Sequence, residues 1–305
     1  MSRVLLFLPL IAGALYFIYT IFKYTRMISN IFLGLVYTPD LEPVSPPAGE
    51  PLTILDSTGK EIEALYLEKK GSKKVVIFCP ESGASKETWE KYAYFLPQEG
   101  FQILSVDFSD AAKDEKNALS QWPSQAEVER LLLVIRWAKN ALGRDIRIVL
   151  FGISKGANIA FAASFRDPTV KAVIADGLFS MKEIFRDYIR KWAPILVRPN
   201  FFGERFPGWI VNLFTDLGFW YCQKQCKKKF LDVESMLNKK HAPLFMIHGE
   251  FDDYIPPSHQ RFLEKISPKK RSVRRLVVPK AGHNEAVMLG RHAYESEIAS
   301  FLSGL

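Results

Sequence analysis

The sequence predicts an α/β fold: a mostly parallel sheet with helices on both faces, a helical insertion, and an N-terminal transmembrane helix. Three observations predict it. Short apolar runs alternate with amphipathic stretches from Leu52 onward, a charge-free apolar run opens the chain, and an aromatic-rich segment between about residues 180 and 242 interrupts the alternation. Strands alternating with helices at this spacing mean crossover units, and crossovers build parallel sheets covered on both faces.

The opening run, Val4 to Phe22, reads VLLFLPLIAGALYFIYTIF without a charge. At 1.5 Å per residue, about 19 residues match the hydrocarbon thickness of a bilayer. Tyr16, Tyr19, Lys23 and Arg26 suit the interface at its C-terminal end, and Pro9 is tolerated in a spanning helix. A cleaved signal peptide is the competing reading, with Arg3 as its basic region and Ala12-Gly13-Ala14 as its cleavage site. The apolar run, however, continues to Phe22, where a mature terminus should turn polar. Basic residues flank the run on both sides, so charge does not orient it. Residues 1–26 are therefore expected to be an anchor and 27–50 a linker. That linker comprises an apolar stretch, Met27–Val36, and a stiff, proline-rich, acidic segment from Thr38 to Pro51.

Residues 51–305 are expected to form the globular domain. The chain has 305 residues, 48% of them hydrophobic and 24% charged, enough for a domain whose core needs no staples. Cys79, Cys222 and Cys226 are too few and too scattered for a disulfide framework, although Cys222 and Cys226 would share a helix face. No His/Cys cluster has metal-ligand spacing, and no glycine-rich phosphate loop appears. The net charge of +8 fits an anionic membrane surface more simply than nucleic acid, for which no motif is present.

Each element follows from its pattern. Leu52–Leu55 and Ile62–Leu67 flank the turn Ser57-Thr58-Gly59-Lys60 and read as a hairpin. Val75–Phe78 is a continuous apolar run, as in a strand covered on both faces. Lys86–Glu99 reads as a helix stopped by Gly100, and Phe101–Phe108 as the next strand. Glu127–Leu142 is an amphipathic helix ended by Gly143. Strands follow at Ile146–Phe151, Val170–Ala175, Leu244–Ile247 and Arg275–Val278, with helices at Ala157–Phe165 and about Ala293 to Leu302.

In such sheets ligands bind beyond the carboxyl ends of the strands. Three strand ends there carry reactive residues. Val149-Leu150-Phe151 runs into Gly152-Ile153-Ser154-Lys155-Gly156, where a serine on a sharp strand-to-helix turn projects its hydroxyl and the glycines leave room for strand and helix. The helix start behind it favours developing negative charge. Leu244–Ile247 ends in His248-Gly249-Glu250-Phe251-Asp252-Asp253, and Val277-Val278 leads to Gly282-His283-Asn284.

These motifs, in the order Ser…Asp…His, resemble the α/β-hydrolase superfamily, in the branch of prolyl-oligopeptidase-like and monoacylglycerol-lipase-like serine hydrolases. The similarity spans roughly Leu52 to Leu305. It implies Ser154 as nucleophile, His283 as base and Asp252 as the acid that orients it, with Asp253 as competitor for the acid role. His248 then closes the turn before the acid, and a surface role is the default for His241, His259 and His292. The resemblance implies no cofactor, because such a triad needs none.

The oxyanion hole departs from the family pattern. The backbone N–H of Lys155 is expected to supply one donor, and position in the loop Cys79-Pro80-Glu81-Ser82-Gly83 makes Glu81 the other, with Ser82 next, since Pro80 has no N–H. A carboxylate there needs to turn away or be neutralised. Lys155 is the expected partner; a Glu81 side chain facing solvent is the alternative. A second departure is Ser109-Asp110-Ala111-Ala112, where relatives often carry Arg-Gly-x-Gly.

The family places a lid at the long insertion. Here it interleaves Phe185, Tyr188, Trp192, Phe201, Phe202, Phe206, Trp209, Phe214, Phe219, Trp220 and Tyr221 with basic residues, and breaks at Pro194, Pro199 and Pro207. That composition suits an apolar acyl pocket and a bilayer-facing surface. Lys227-Lys228-Lys229, Lys269-Lys270-Arg271 and Arg274-Arg275 fit either anionic headgroups or solvated ends. The expected activity is hydrolysis of an ester, lipid or thioester of a lipophilic acyl substrate at a membrane. The alternatives are an aminopeptidase or oligopeptidase, for which Glu183, Asp187, Glu204 or Asp216 could bind a substrate amino group, and a catalytically silent binding protein on the same fold.

Overall fold

The computed structural model describes residues 2–34, 48–55, 61–108, 121–197, 203–237, 242–267 and 273–304, with Gly59 and Lys239. The proline-rich linker between 38 and 47, the turn residues Ser57, Thr58 and Lys60, and the loop Ser109-Asp110-Ala111-Ala112 lie outside the described residues. So do Pro199, Phe201, Phe202, His241 and Lys269-Lys270-Arg271. The chain forms two compact units: Met1–Leu35 with Lys182–Lys228, and Val36–Met181 with Lys229–Leu305.

The second unit is built on eight strands: β1 (Glu50–Leu55), β2 (Glu61–Leu67), β3 (Lys74–Cys79), β4 (Gln102–Val106), β5 (Arg147–Ile153), β6 (Val170–Asp176), β7 (Leu244–Gly249) and β8 (Val273–Val278). Their order across the sheet is β1-β2-β4-β3-β5-β6-β7-β8. Among the described strands, β2 runs opposite to the other seven, so its pairings with β1 and β4 are antiparallel and the rest are parallel. The continuous apolar runs have a simple cause. Along β5, Ile148 and Leu150 enter one apolar cluster while Val149, Phe151 and Ile153 enter the other, so both faces of the strand are covered.

Helices α3 (Gln125–Leu142) and α4 (Lys155–Ser164) bury their apolar stripes on one face, through residues such as Leu131, Ile135, Ile159 and Phe161. The other face carries α2 (Trp89–Tyr92) and the C-terminal helix Arg291–Leu302, with Trp89, Tyr92, Tyr294 and Ile298. A capping box starts α3: the Glu127 side chain accepts from the Ser124 backbone N–H at 2.8 Å.

The helix expected over Lys86–Glu99 is shorter. A 3₁₀ turn at Lys86–Thr88 leads into the four residues of α2, and turns continue to Gly100. Leu96, Gln98 and Gly100 each donate three residues back, to Ala93, Phe95 and Pro97. Pro97 offers no amide, and the aromatic run before it has little intrinsic preference for helix. The buried rings of Trp89 and Tyr92 fix its path instead.

The first unit changes the expected boundaries. Helix α1 runs unbroken over Ser2–Leu33, so Met27–Leu33 is helix rather than linker. Its two parts differ. Phe7, Leu10, Leu15, Tyr16, Ile18 and Phe22 are exposed, whereas Tyr24, Thr25, Ile28, Ser29 and Phe32 are buried at helical spacing. The stretch Phe7–Leu33 is long and apolar enough to cross a membrane.

The buried stripe of α1 packs on the insertion, in helices α5 (Met181–Leu196) and α6 (Gly208–Cys226). The Phe32 ring lies edge-on to Phe185 at 4.8 Å and to Tyr188 at 5.9 Å between centroids. Gly218 brings α6 close, since a Cβ there would collide with the Phe185 ring and sit 3.2 Å from Ser29 Oγ. Cys222 Sγ lies 3.9 Å from the Ser29 carbonyl oxygen, and all three cysteines are free thiols. Phe185, Phe214 and Phe219 are thus core, while Trp209 and Trp220 stay exposed. The insertion is also shorter than expected. Residues beyond Lys228 belong to the sheet unit, where Phe230 bridges Ser124 and the helix α7 (Val233–Leu237) buries Val233 and Leu237.

Phe7–Tyr19 are exposed, so deleting residues 1–19 leaves the buried stripe of α1 intact and should leave limited proteolysis of Lys182–Lys228 unchanged. Deleting residues 1–33 takes away Ile28 and Phe32, and loss of one buried Phe alone costs roughly 3–5 kcal/mol. That truncation should make the insertion the first segment cut.

Candidate active site

Ser154 sits between β5 and α4 with φ 51° and ψ −113°, a region that costs a non-glycine residue on the order of 1–3 kcal/mol. Two glycines allow the turn. A Cβ on Gly152 would strike the Gly156 carbonyl, and a Cβ on Gly156 would strike the carbonyl oxygens of Cys79 and Pro80. The Ser154 N–H donates to the Asp176 carbonyl oxygen at 2.7 Å, which fastens the turn to the end of β6.

Asp252 lies in the loop after β7, only 3% exposed. Its Oδ1 accepts from the backbone N–H groups of Tyr254 at 2.9 Å and Ile255 at 2.7 Å. Its Oδ2 lies 2.7 Å from His283 Nδ1, and His283 Nε2 lies 3.0 Å from Ser154 Oγ. Asp253, the competing carboxylate, is exposed. A carboxylate at Nδ1 selects the Nδ1–H tautomer, so the Nε2 lone pair faces the serine hydroxyl. A proton on Oγ therefore has an acceptor in hydrogen-bond reach, and the imidazolium formed has an adjacent anion.

His248 donates from Nε2 to the Ile255 carbonyl oxygen at 2.7 Å, and burial lowers its pKa, so a neutral ring ties together the loop that holds Asp252. His259 is buried rather than on the surface, on the inward side of α8 (Pro257–Ile266); His292 is exposed, as expected.

The loop after β3 lies against the first turn of α4, as the Gly156 contact with Cys79 and Pro80 requires. Lys155, first residue of α4, carries one of the N–H groups that have no acceptor within the helix. Glu81 and Lys155, expected to pair with each other, each meet other partners. Lys155 Nζ pairs with Glu127, both side chains being buried, because Glu127 is held beside α4 by its capping role on α3. Glu81, only 4% exposed and so not facing solvent, accepts from the Tyr92 hydroxyl at 2.9 Å and from Asn284 Nδ2.

Sequence reasoning missed Asp176, at the carboxyl end of β6. It is buried and accepts from the Tyr294 hydroxyl at 3.2 Å. Burial pushes its carboxyl up to about 7, while His283 and the Tyr294 hydrogen bond pull the other way. An aspartate closing an otherwise apolar strand, Val170–Asp176, was the available signal. Among the described residues, no cluster of His, Cys, Asp and Glu could hold a metal ion.

No protein-family model matches the sequence, and no curated protein matches it. Solved structures do. An esterase of Pyrococcus furiosus superposes with a TM-score of 0.63 at 19% identity, over 89% of this chain and 98% of its own. A dienelactone hydrolase of Anabaena variabilis gives 0.58 at 18%, over 85% and 98%. An α/β hydrolase from a lagoon-sediment metagenome gives 0.52 at 15%, over 80% and 95%. This chain has the α/β-hydrolase fold. In that α/β-hydrolase sheet Glu81, Ser154, Asp176, Asp252 and His283 lie at or just beyond the carboxyl ends of β3, β5, β6, β7 and β8.

The raised carboxyl of Asp176 makes a signed prediction. A group whose folded pKa exceeds its unfolded value contributes stability below the unfolded pKa and loses it as pH rises through the folded one. For Asp176 that window runs from about 4 to about 7. Asp176→Asn keeps an acceptor for Tyr294 without the titration. The stability of the wild type relative to this variant should fall between pH 4 and pH 8, by on the order of a few kcal/mol, in urea melts at both pH values.

Proposed function

We propose that this protein is a membrane-held serine hydrolase that cleaves a carboxylic ester or thioester of a lipophilic acyl substrate through an acyl-enzyme on Ser154. The observation that carries this reading is the relay of 2.7 Å from Asp252 to His283 and 3.0 Å from His283 to Ser154. Ser154 Oγ attacks the acyl carbonyl as His283 Nε2 takes its proton. The carbonyl oxygen becomes an oxyanion, received by the backbone N–H groups of Lys155 and Glu81. Collapse expels the alkoxide or thiolate, which takes the proton from His283. Water then repeats the sequence on the acyl-enzyme and releases the acid. No step calls for a metal or cofactor, and nucleic acid is not a partner in this reading.

The lipophilic substrate is supported by the loops that carry Asp252 and His283, which leave Phe251, Tyr254, Met288 and Leu289 more than half exposed. The Tyr254 ring lies 5.5 Å from the His283 ring. An ester rather than a peptide is favoured by the insertion, where Glu183 pairs with Arg186, and Asp187 with Arg190 at 3.1 Å. Carboxylates already matched by arginines are poor sites for a substrate amino group. The membrane is supported by the exposed apolar turns of α1, with the chain's positive charge complementary to anionic headgroups.

A fluorophosphonate probe should label the wild type covalently, and Ser154→Ala should abolish the label and lower ester turnover by about 10⁴-fold or more. An unlabelled wild type sinks the serine-hydrolase reading. Against a matched panel, p-nitrophenyl esters should be cleaved and aminoacyl-p-nitroanilides left; the reverse preference would make the enzyme a peptidase. Combining Phe251→Ser with Met288→Ser should lower kcat/KM for a long-chain ester by roughly 30-fold while leaving the acetyl ester within about twofold, since each of the two lost apolar contacts is worth about 1 kcal/mol.

A further inference from the structure

Glu81 is a buried carboxylate that takes no proton in the ester cleavage above, yet it spans two of the loops that cleavage needs. It lies on the loop after β3, and its partners lie on two other segments: Tyr92 in α2, and Asn284 in the loop after β8. Asn284 is buried and follows His283 directly. It stands at φ 60°, in the left-handed region, which asparagine enters more readily than other non-glycine residues when its side-chain amide has hydrogen-bond support. Oε2 of Glu81 supplies that support by accepting from the Asn284 amide.

The amide is also close to the chemistry. A Cβ built on Gly177 would lie 3.6 Å from Asn284 Oδ1, from His283 Cε1 and from Ser154 Cα. The amide of Asn284, the imidazole and the backbone of the serine therefore converge on one point. A rotation of the 283–284 backbone that freed the amide would swing the imidazole with it. The contact joins an ionisable acceptor to an amide donor, and such bonds are shorter and stronger than neutral ones. Tyr92 occupies the other oxygen, so the carboxylate is held from both sides.

We propose that the Glu81 carboxylate is a positioning group: by holding Asn284 in its left-handed conformation it sets His283 Nε2 against Ser154 Oγ, and it fixes the oxyanion loop to the base loop. This rests on the assignment of Ser154 and His283 as nucleophile and base. The departure from the family pattern at Glu81 then has a use. The backbone at 81 faces the reaction as a donor, and the side chain works behind it.

The test is a double-mutant cycle on the full chain, with two readouts: the second-order rate of fluorophosphonate labelling at Ser154, and kcat and KM for a p-nitrophenyl ester. Glu81→Ala removes the carboxylate and keeps the backbone N–H. Asn284→Gly removes the amide and adopts φ 60° freely. Each single variant should slow labelling and kcat by roughly 10- to 100-fold, the scale expected when a reacting group is misplaced by about 1 Å, with KM within about threefold. The double variant should be no slower than the slower single within about twofold, because both changes break one contact. Losses that multiply in the double variant, a change in KM alone, or single variants that label at the wild-type rate would overturn the proposal. Where Glu81→Ala does not fold, Glu81→Leu, which fills the space and offers no acceptor, replaces it in the same cycle and is read in the same way. An unlabelled wild type overturns the assignment of Ser154 itself; a labelled wild type with unaffected variants overturns only the positioning role.

Discussion

The candidate site depends on one steric constraint: β5 enters α4 with no room for a Cβ at Gly152 or Gly156. That close approach holds Ser154 at positive φ, seats the loop after β3 on the first turn of α4, and lets the Ser154 amide reach β6. Three loops from three strands are thereby referenced to one helix start. The surrounding sheet, apolar on both faces along β3, β5 and β6, is what holds so strained a residue in place.

The electrostatics follow from the same crowding. Asp252, Asp176 and Glu81 are all buried around a single imidazole. The structure gives the three carboxyls different donors, and burial is what raises the pKa of Asp176. Asp252 receives two backbone amides and the imidazole; Glu81 receives a phenol and a side-chain amide; Asp176, with the Tyr294 phenol as its hydrogen-bond donor, has its carboxyl pushed toward neutrality. The carboxylates of Asp252 and Glu81 are the ones that bond to His283 and to its neighbour Asn284.

The sheet was legible because a strand buried on both faces leaves a continuous apolar run, as at Val75–Phe78, and because Gly-x-Ser-x-Gly states its own geometry. The family resemblance favoured Asp252 over Asp253, and the structure buries the former and exposes the latter. Other features depend on contacts that no local pattern encodes. Glu127 caps its own helix and also meets Lys155, 28 positions away in sequence, so the expected Glu81 pairing had a competitor invisible to motif reading. The helix at Lys86–Glu99 failed for a local reason that was available, Pro97. The union of α1 with the insertion was hidden because apolarity alone does not distinguish a side chain that meets lipid from one that meets protein.

That union sets a mechanical phase. Phe22, exposed, and Tyr24, buried, are two residues apart on an unbroken helix, so about 3 Å of rise separates the free part of α1 from the part gripped by α5 and α6. A flexible tether would let its cargo swivel; this one transmits both height and rotation. One added residue between those positions would turn the gripped half by about 100° about the helix axis. In a bilayer, the tilt and depth of the first turns would therefore dictate which side of the insertion meets the headgroups. An embedded α1 would act as the rotational register of the insertion.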